Sequence, residues 1–349
     1  MKKSLIALAV LAVSGVASAQ SSVTLYGIVD VWVGGQKNPG EARQTKIDSG
    51  GVSSNRFGFK GSEDLGGGLK ANFLLEQGFN TDNGSQAVAG QMFSRQSYVG
   101  LSSGLGEVRL GKTFSPFDDI SGATTPGFDS ALSPSVNVWK STGYNANPAN
   151  TVYYASPSMG GFSGAVSYSL GENKNVPVVG VSAGKIISLN AKYEGGPIYA
   201  GVAYQTEKAS GADEAAKFTR VNGSYDLGVV KLLAGYGHVT NGVLIAAVTA
   251  TATPPVTGVT GVNGKTTEWQ VGADFPVSSA LTLSGGVAQS KSTAAGYNET
   301  KRTGYGLAAS YSLSKRTSLY GGVQASKQKQ AGAADLKGDL YAVGVRHTF

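Results

Sequence analysis

The chain contains no cysteine among its 349 residues, only two histidines, and charged side chains at just 15%. Without cysteine there are no disulfides, thiolate metal sites, iron–sulfur clusters or thiol nucleophiles. Two histidines leave little material for imidazole-based metal or acid–base chemistry. Long apolar runs are also missing beyond the N-terminus, and no cofactor or metal motif is present, so none is expected. The formal net charge of +7 is too mild and too scattered for a nucleic-acid partner. What the chain has in excess is glycine (51) and tyrosine (16).

The first residues read as an address. Lys2 and Lys3 give a positive start, Leu5 to Val13 an apolar stretch, and Ala17-Ser18-Ala19 a small-residue cleavage site. The apolar stretch is far short of the ~20 residues of a spanning helix. Residues 1–19 are therefore expected to be a signal peptide, and 20–349 the mature domain. Loss of the two lysines lowers the net charge from +7 to +5.

After Gln20 the dominant pattern is alternation with period two. Val23, Leu25, Val29, Val31 and Val33 share one face, and Thr24, Tyr26, Asp30 and Trp32 the other. At the far end Tyr341, Val343, Val345, His347 and Phe349 oppose Ala342, Gly344, Arg346 and Thr348. The segments are close to the 9–11 residues of a tilted transmembrane strand. Their connections alternate in size. Short ones fall at Glu63–Gly68, Ser103–Gly106, Ser158–Gly161, Gly195–Pro197, Asp226–Gly228, Pro276–Ser279 and Ser314–Arg316. Longer polar ones fall at Gly34–Ser53, Asn80–Met92, Phe114–Ala149, Glu172–Gly184, Glu207–Ala216, Asn241–Lys265, Lys291–Asn298 and Gln328–Lys337. Seven short and eight long connections predict sixteen strands. The fold class is thus all-β, a 16-stranded antiparallel transmembrane β-barrel with short periplasmic turns and long extracellular loops. A soluble sandwich would need two thick apolar faces, whereas one strand face here is small and polar. Aromatics near the turns (Tyr26, Phe57, Tyr98, Tyr153, Tyr154, Phe162, Tyr193, Tyr225, Phe275, Tyr311, Tyr320, Phe349) are expected to form an interfacial girdle.

Within this frame several motifs carry a resemblance. They are Ser54-Asn55-Arg56-Phe57-Gly58-Phe59-Lys60-Gly61-Ser62-Glu63-Asp64-Leu65-Gly66-Gly67-Gly68, Val23-Thr24-Leu25-Tyr26-Gly27, Arg95-Gln96-Ser97-Tyr98-Val99-Gly100-Leu101, Leu110-Gly111-Lys112 and Leu313-Ser314-Lys315-Arg316-Thr317-Ser318-Leu319-Tyr320. The chain resembles Gram-negative general porins of the β-proteobacterial type, and its Gly344–Phe349 end resembles the family's C-terminal insertion signal. The resemblance implies an outer-membrane homotrimer whose third long loop folds inward as a constriction. It also implies contact with lipid and lipopolysaccharide, recognition of Phe349 by the barrel-assembly machinery, and passage of small hydrophilic solutes and ions.

The residues support a special role for the third loop independently. Phe114–Ala149 is the longest connection, mixing aromatics with Asp118, Asp119 and Asp129; a loop this long without its own regular structure is usually functional or disordered. Opposite it, Arg56 and Lys60 must face water because Phe57 and Phe59 share the other parity. Arg95 and Lys112 match the family's basic-wall positions, although simple alternation turns Arg109 rather than Lys112 inward. One departure bears on selectivity. Asn147 stands where strongly anion-preferring members carry arginine, which limits the expectation to a mild anion preference. The resulting reading is a general diffusion pore. Alternatives are a substrate-specific channel, disfavoured by a lumen with no aromatics beyond Tyr26 and Trp32, and a barrel enzyme. For the enzyme, no Gly-x-Ser-x-Gly elbow occurs on a strand-to-helix turn, His238 reads as interfacial, and His347 lies on the lipid-type face. Val243–Val262 is oddly apolar for an external loop.

Overall fold

The computed structural model describes residues 22–171, 184–210, 212–244 and 262–349. The expected signal peptide and most of the apolar 243–262 segment lie outside the described residues. The strands are β1 (Ser22–Lys37), β2 (Gln44–Ser49), β3 (Arg56–Gly66), β4 (Leu69–Gly78), β5 (Gln96–Ser103) and β6 (Gly106–Lys112). A short helix, α1 (Pro116–Ser121), follows. Then come β7 (Thr151–Ala155), β8 (Phe162–Leu170), β9 (Lys185–Gly195), β10 (Ile198–Lys208), β11 (Ala216–Asp226) and β12 (Lys231–Leu244). The last five are β13 (Val262–Pro276), β14 (Leu281–Ala294), β15 (Tyr297–Ser312), β16 (Thr317–Gln330) and β17 (Leu336–Thr348).

Consecutive strands pair antiparallel from β3 to β17, and β1 pairs with both β3 and β17. Sixteen strands therefore close into a barrel, and β2 is extra. It pairs with the upper half of β1 on the same edge that β3 occupies lower down. The returning strand of the first hairpin is thus interrupted between Ser49 and Arg56, where the sequence pattern suggested a loop up to Ser53. The interruption has a cause. The buried Asp30 carboxylate accepts backbone N–H bonds from Gly51 (3.0 Å), Val52 (3.0 Å) and Ser53 (2.8 Å), pulling the chain inward. The Tyr320 hydroxyl also donates to Asp30 (2.5 Å), and Asn55 accepts from the Asp30 amide.

All seven short turns fall where expected. Two of the predicted long connections are shorter than expected: β14 and β15 meet at a tight turn around Ala295-Gly296, and β16 runs on to Gln330 before the 331–335 connection to β17. Polar side chains mark the ends of these strands because they rise past the apolar band, so polarity there is not a loop signal. Outward positions carry the exposed apolar residues, such as Val23, Leu25, Val99, Leu101, Leu307 and Val343. Inward positions are polar or small. Tyr26, Tyr98, Tyr153 and Tyr320 share the inward parity and do not join the girdle. Their hydroxyls or rings engage Glu76, Arg109, Asp119 and Asp30 respectively. The barrel interior is accordingly richer in aromatics than the sequence pattern indicated.

Candidate pore constriction

The connection between β6 and β7 runs inside the barrel. Its outbound leg starts with α1, capped by the Ser115 hydroxyl, which accepts from the Asp118 amide, with Pro116 in the first turn. This short helix is regular structure in a segment expected to have none. Phe117 and Ile120 bury completely against Ala203, Phe218 and Val239 of the wall. Buried wall side chains then collect the loop's backbone in order. The Phe117 amide donates to Ser188 (2.9 Å), Asn222 donates to the Ile120 carbonyl (2.5 Å), and the Gly127 amide donates to Ser284 (2.7 Å). At the tip, Leu132 packs with Trp32, Ala308, Tyr320 and Leu340, and the Ala131 amide donates to the Gly51 carbonyl (2.9 Å). Gly304 and Gly306 are required here. A Cβ on either would collide with the Pro134 or Leu132 carbonyl, so only glycine lets the loop backbone lie on the wall.

The return leg lies nearer the long-loop end. Ser290 donates to the Val138 carbonyl (2.6 Å), and the Lys140 and Ser141 amides donate to the buried Glu268 carboxylate (2.7 and 3.1 Å). One wall residue holds both legs at once. Arg220, 2% exposed, donates to the Ser121 carbonyl (2.8 Å) and the Ser141 hydroxyl (2.5 Å) and sits over the Phe117 and Trp139 rings (5.5 and 4.4 Å). Neither Arg220 nor Glu268 stands out in the sequence. The available signal was parity: Arg220 alternates with Thr219 and Val221, so a mid-strand charge had to point inward.

The loop leaves an uncovered sector of wall around β3 to β6, and the expected basic residues fall there. Glu76 of β4, also unforeseen, is their hub. It accepts from Arg95 (2.8 Å) and Tyr26 (2.9 Å), and Arg56 lies 4.0 Å away. Lys60 has no ion pair among the described residues and lies over the Tyr26 ring (5.2 Å). Arg109 faces inward, paired with Glu107 (2.7 Å) and set between the Tyr98 and Tyr153 rings. Lys112 instead donates to the Asn147 carbonyl (2.8 Å), at the stem of the loop. It shares a cavity of about 340 Å³ with Arg95, Ser94, Asn55 and Asn147. Arg109 thus follows the alternation, while Lys112 is held at the loop stem beside Arg95. Asn147 itself donates to the Ser94 and Arg95 carbonyls (3.1 and 2.9 Å), so it ties the loop's end to the basic wall without adding charge.

The three loop carboxylates divide. Asp118 accepts from Tyr144 (2.5 Å), whose ring packs on Phe117. Asp119 is exposed to the lumen and accepts from Tyr153 (2.7 Å). It lines a cavity of about 470 Å³ with Arg109, Lys192 and Glu194. Asp129 is exposed, and both it and Phe128 hold left-handed backbone angles (φ 48° and 65°). Removal from bulk water raises all three acids above the usual carboxylate range, Asp118 to about 6, with the neighbouring Asp119 and Asp129 charges adding to the Asp118 shift. The Tyr144 hydrogen bond and Arg95 oppose that shift. No ion pair joins a loop acid to a wall cation among the described residues, so the gap between them stays open.

A closed barrel, a loop stitched across its inside and opposed charges flanking the remaining gap form one arrangement, and residues 4–331 match the family of Gram-negative porins. The chain belongs to that family. This porin is 38% identical over 250 residues to outer membrane porin protein 32 of Delftia acidovorans, covering 66% of this chain and 68% of the relative. It is 32% identical over 274 residues to an outer membrane porin protein of Bordetella pertussis, covering 69% of this chain and 70% of the relative. Among solved structures, an anion-selective porin from Comamonas acidovorans superimposes with a TM-score of 0.75 at 28% identity, over 94% of this chain and 100% of that one. OmpT of Vibrio cholerae in its trimer form gives 0.68 at 15% identity, over 94% and 99%, a likeness of fold. The protein is a multi-pass outer-membrane channel.

Proposed function

We propose that this porin is a passive pore for small hydrophilic solutes with a mild anion preference, working as a homotrimer after loss of residues 1–19 and catalysing no reaction. The positive surplus of the open wall, set against loop acids held above the usual carboxylate range, carries the reading. Arg56 and Arg95 share the single carboxylate of Glu76, Lys60 is unpaired among the described residues, and Arg109 is matched by Glu107. The wall is therefore net positive by a small margin, against Asp118, Asp119 and Asp129 on the loop. Opposed fixed charges across a narrow aqueous gap create a transverse field that orders water and disfavours apolar solutes, and the low-dielectric wall strengthens it. The solved anion-selective relative at 28% identity supports the sign, and the neutral Asn147 supports the modest size. The trimer-form neighbour supports the assembly. Planar-bilayer recording in a salt gradient tests both parts. The expected result is a reversal potential on the anion side with conductance steps in groups of three; clear cation selectivity would overturn the reading. Swelling of loaded liposomes should depend on sugar size alone, and strong preference among sugars of equal size would favour a substrate-specific channel.

A further inference from the structure

The cavity of about 470 Å³ beside Asp119 lies on the turn side of α1, where Ser156 and Ser158 of the β7–β8 turn help to line it. Charges of alternating sign surround it: Arg109 of β6, Asp119 of α1, then Lys192 and Glu194 of β9. Arg109 and Asp119 form no ion pair, because Tyr153 of β7 stands between them. Its ring holds the Arg109 guanidinium at 4.8 Å, and its hydroxyl donates to the Asp119 carboxylate at 2.7 Å. One cation and one anion are thus fixed on the ring and at the hydroxyl of a single tyrosine, and both open onto the same space.

The frame around the two charges is built from buried groups. Tyr153 is 4% exposed and sits directly opposite Arg109 in the sheet register. Asn190, also buried, donates to the Pro116 carbonyl (2.6 Å) and to Asp119 (3.4 Å), which fixes α1 against β9. Neither charge is saturated. Arg109 donates from Nη2 to Glu107 (2.7 Å), and its Nε–H has no partner among the described residues. Asp119 is exposed to the lumen and accepts only from the neutral Tyr153 and Asn190. Across the cavity Lys192 and Glu194 pair at 2.9 Å, but the Glu194 side chain is 58% exposed. A solvated pair of this kind contributes little, so it opens readily to a ligand.

Fixed charges of alternating sign select against a net charge. An anion drawn to Arg109 is repelled by Asp119, and a cation drawn to Asp119 is repelled by Arg109 and Lys192. A solute that carries both signs, several bonds apart, gains two favourable contacts at positions already held in place. We propose that this cavity is a binding site for zwitterionic solutes of the amino-acid class, with the carboxylate on Arg109 and the ammonium on Asp119. Lys192 and Glu194 complete the ring of alternating charge. The site rests on the pore reading for the solute's access, and not on the sign of the pore's ion preference.

The test uses the full mature porin in neutral detergent with a four-carbon probe series: 4-aminobutyrate, butyrate and butylammonium. Saturation-transfer NMR titrations read the half-saturating concentration of each. That of 4-aminobutyrate is expected to be at least about fivefold lower than that of either singly charged probe, since each added contact is a charge pair at close range. Arg109→Gln should bring the zwitterion to the level of butylammonium, and Asp119→Asn to that of butyrate. Lys315→Gln, at the β15–β16 turn, should leave the whole series unchanged. Equal half-saturation by the zwitterion and either singly charged probe overturns the proposal, and that comparison needs no variant to fold. Retention of the zwitterion's advantage in both Arg109→Gln and Asp119→Asn overturns the site. Reversal potentials of the wild type are recorded in parallel. Cation selectivity with the zwitterion's advantage intact refutes the pore's anion preference and upholds this site; anion selectivity with equal binding of all the probes refutes this site alone.

Discussion

The inside of this barrel has two walls that look alike in sequence and differ in use. From β9 to β16 the inward polar residues are covered by the third loop. Arg220, Asn222, Glu268, Ser284 and Ser290 are buried and direct their hydrogen bonds to loop backbone. From β3 to β6 the same kind of residue, Arg56, Lys60, Arg95 and Arg109, borders water and is only partly neutralised. A charge on the covered wall holds the pore's shape, and a charge on the open wall acts on what passes. The difference lies in solvation. Beneath the loop a group must be satisfied by protein, because leaving it unpaired costs a few kcal/mol; facing the lumen, water does the work.

The largest effect should come from breaking the covered wall at Arg220. Arg220→Ala removes both donors that tie the loop's two legs, the bonds to the Ser121 carbonyl and the Ser141 hydroxyl. Hydrogen bonds from a charged donor are worth about 1.5–3 kcal/mol each. Hydrogen exchange should accelerate across residues 116–143 relative to the strands, and single-channel current should become noisier. Unchanged protection there would show that the covered wall is not what holds the loop.

An intermediate effect, of a different kind, should follow on the open wall. Lys60→Gln removes a charge that has no carboxylate partner among the described residues, at a site where water already solvates the group. Stability should hardly move. Anion over cation preference should fall: one unit charge about 5 Å from the ion path in a water-like dielectric is worth roughly 0.8 kcal/mol, about fourfold in partitioning. Reversal potentials in a salt gradient read this directly. A loss of stability comparable to that of Arg220→Ala would erase the contrast between the walls.

The smallest effect is a pH dependence, and it sharpens the comparison from the loop side. Asp118, raised to about 6 mainly by its surroundings, loses its charge on the folded loop as pH falls from about 7 to 5, while an unfolded aspartate stays ionised until near 4. Between roughly pH 4 and 6 the folded state then binds the extra proton, so acidification across that window favours the folded loop rather than opposing it. It also removes a negative charge facing the basic wall, so anion preference should rise between about pH 7 and 5. Asp118→Asn should show the higher preference at neutral pH already and lose this part of the pH response.

The sequence patterns were informative where one rule governs every residue. Parity placed Arg56 and Lys60 inward through Phe57 and Phe59, and did the same for Arg109 against Lys112. Composition was less reliable where position along the normal matters. Polar runs at 291–298 and 328–337 read as loops but belong largely to strands extended past the lipid, because a residue beyond the membrane is free to be polar in either conformation. Tyr98, Tyr153 and Tyr320 read as girdle residues and proved to be lumen anchors, as did Tyr26, which the sequence placed in both groups. Proximity to a turn says nothing of which face a tyrosine takes, whereas alternation would have decided it.

By itself, then, the order of residues determined the closed antiparallel barrel, the face each strand turns to lipid, and the identity of the segment that narrows it. Those follow from a local, repeating requirement: in hydrocarbon every backbone group must pair and every outward side chain must be apolar. Which inward charges lock the loop and which line the passage was decided only by tertiary structure. That division depends on where residues 114–149 come to rest, far along the sequence from Arg220 and Glu268, and no period in the chain encodes it.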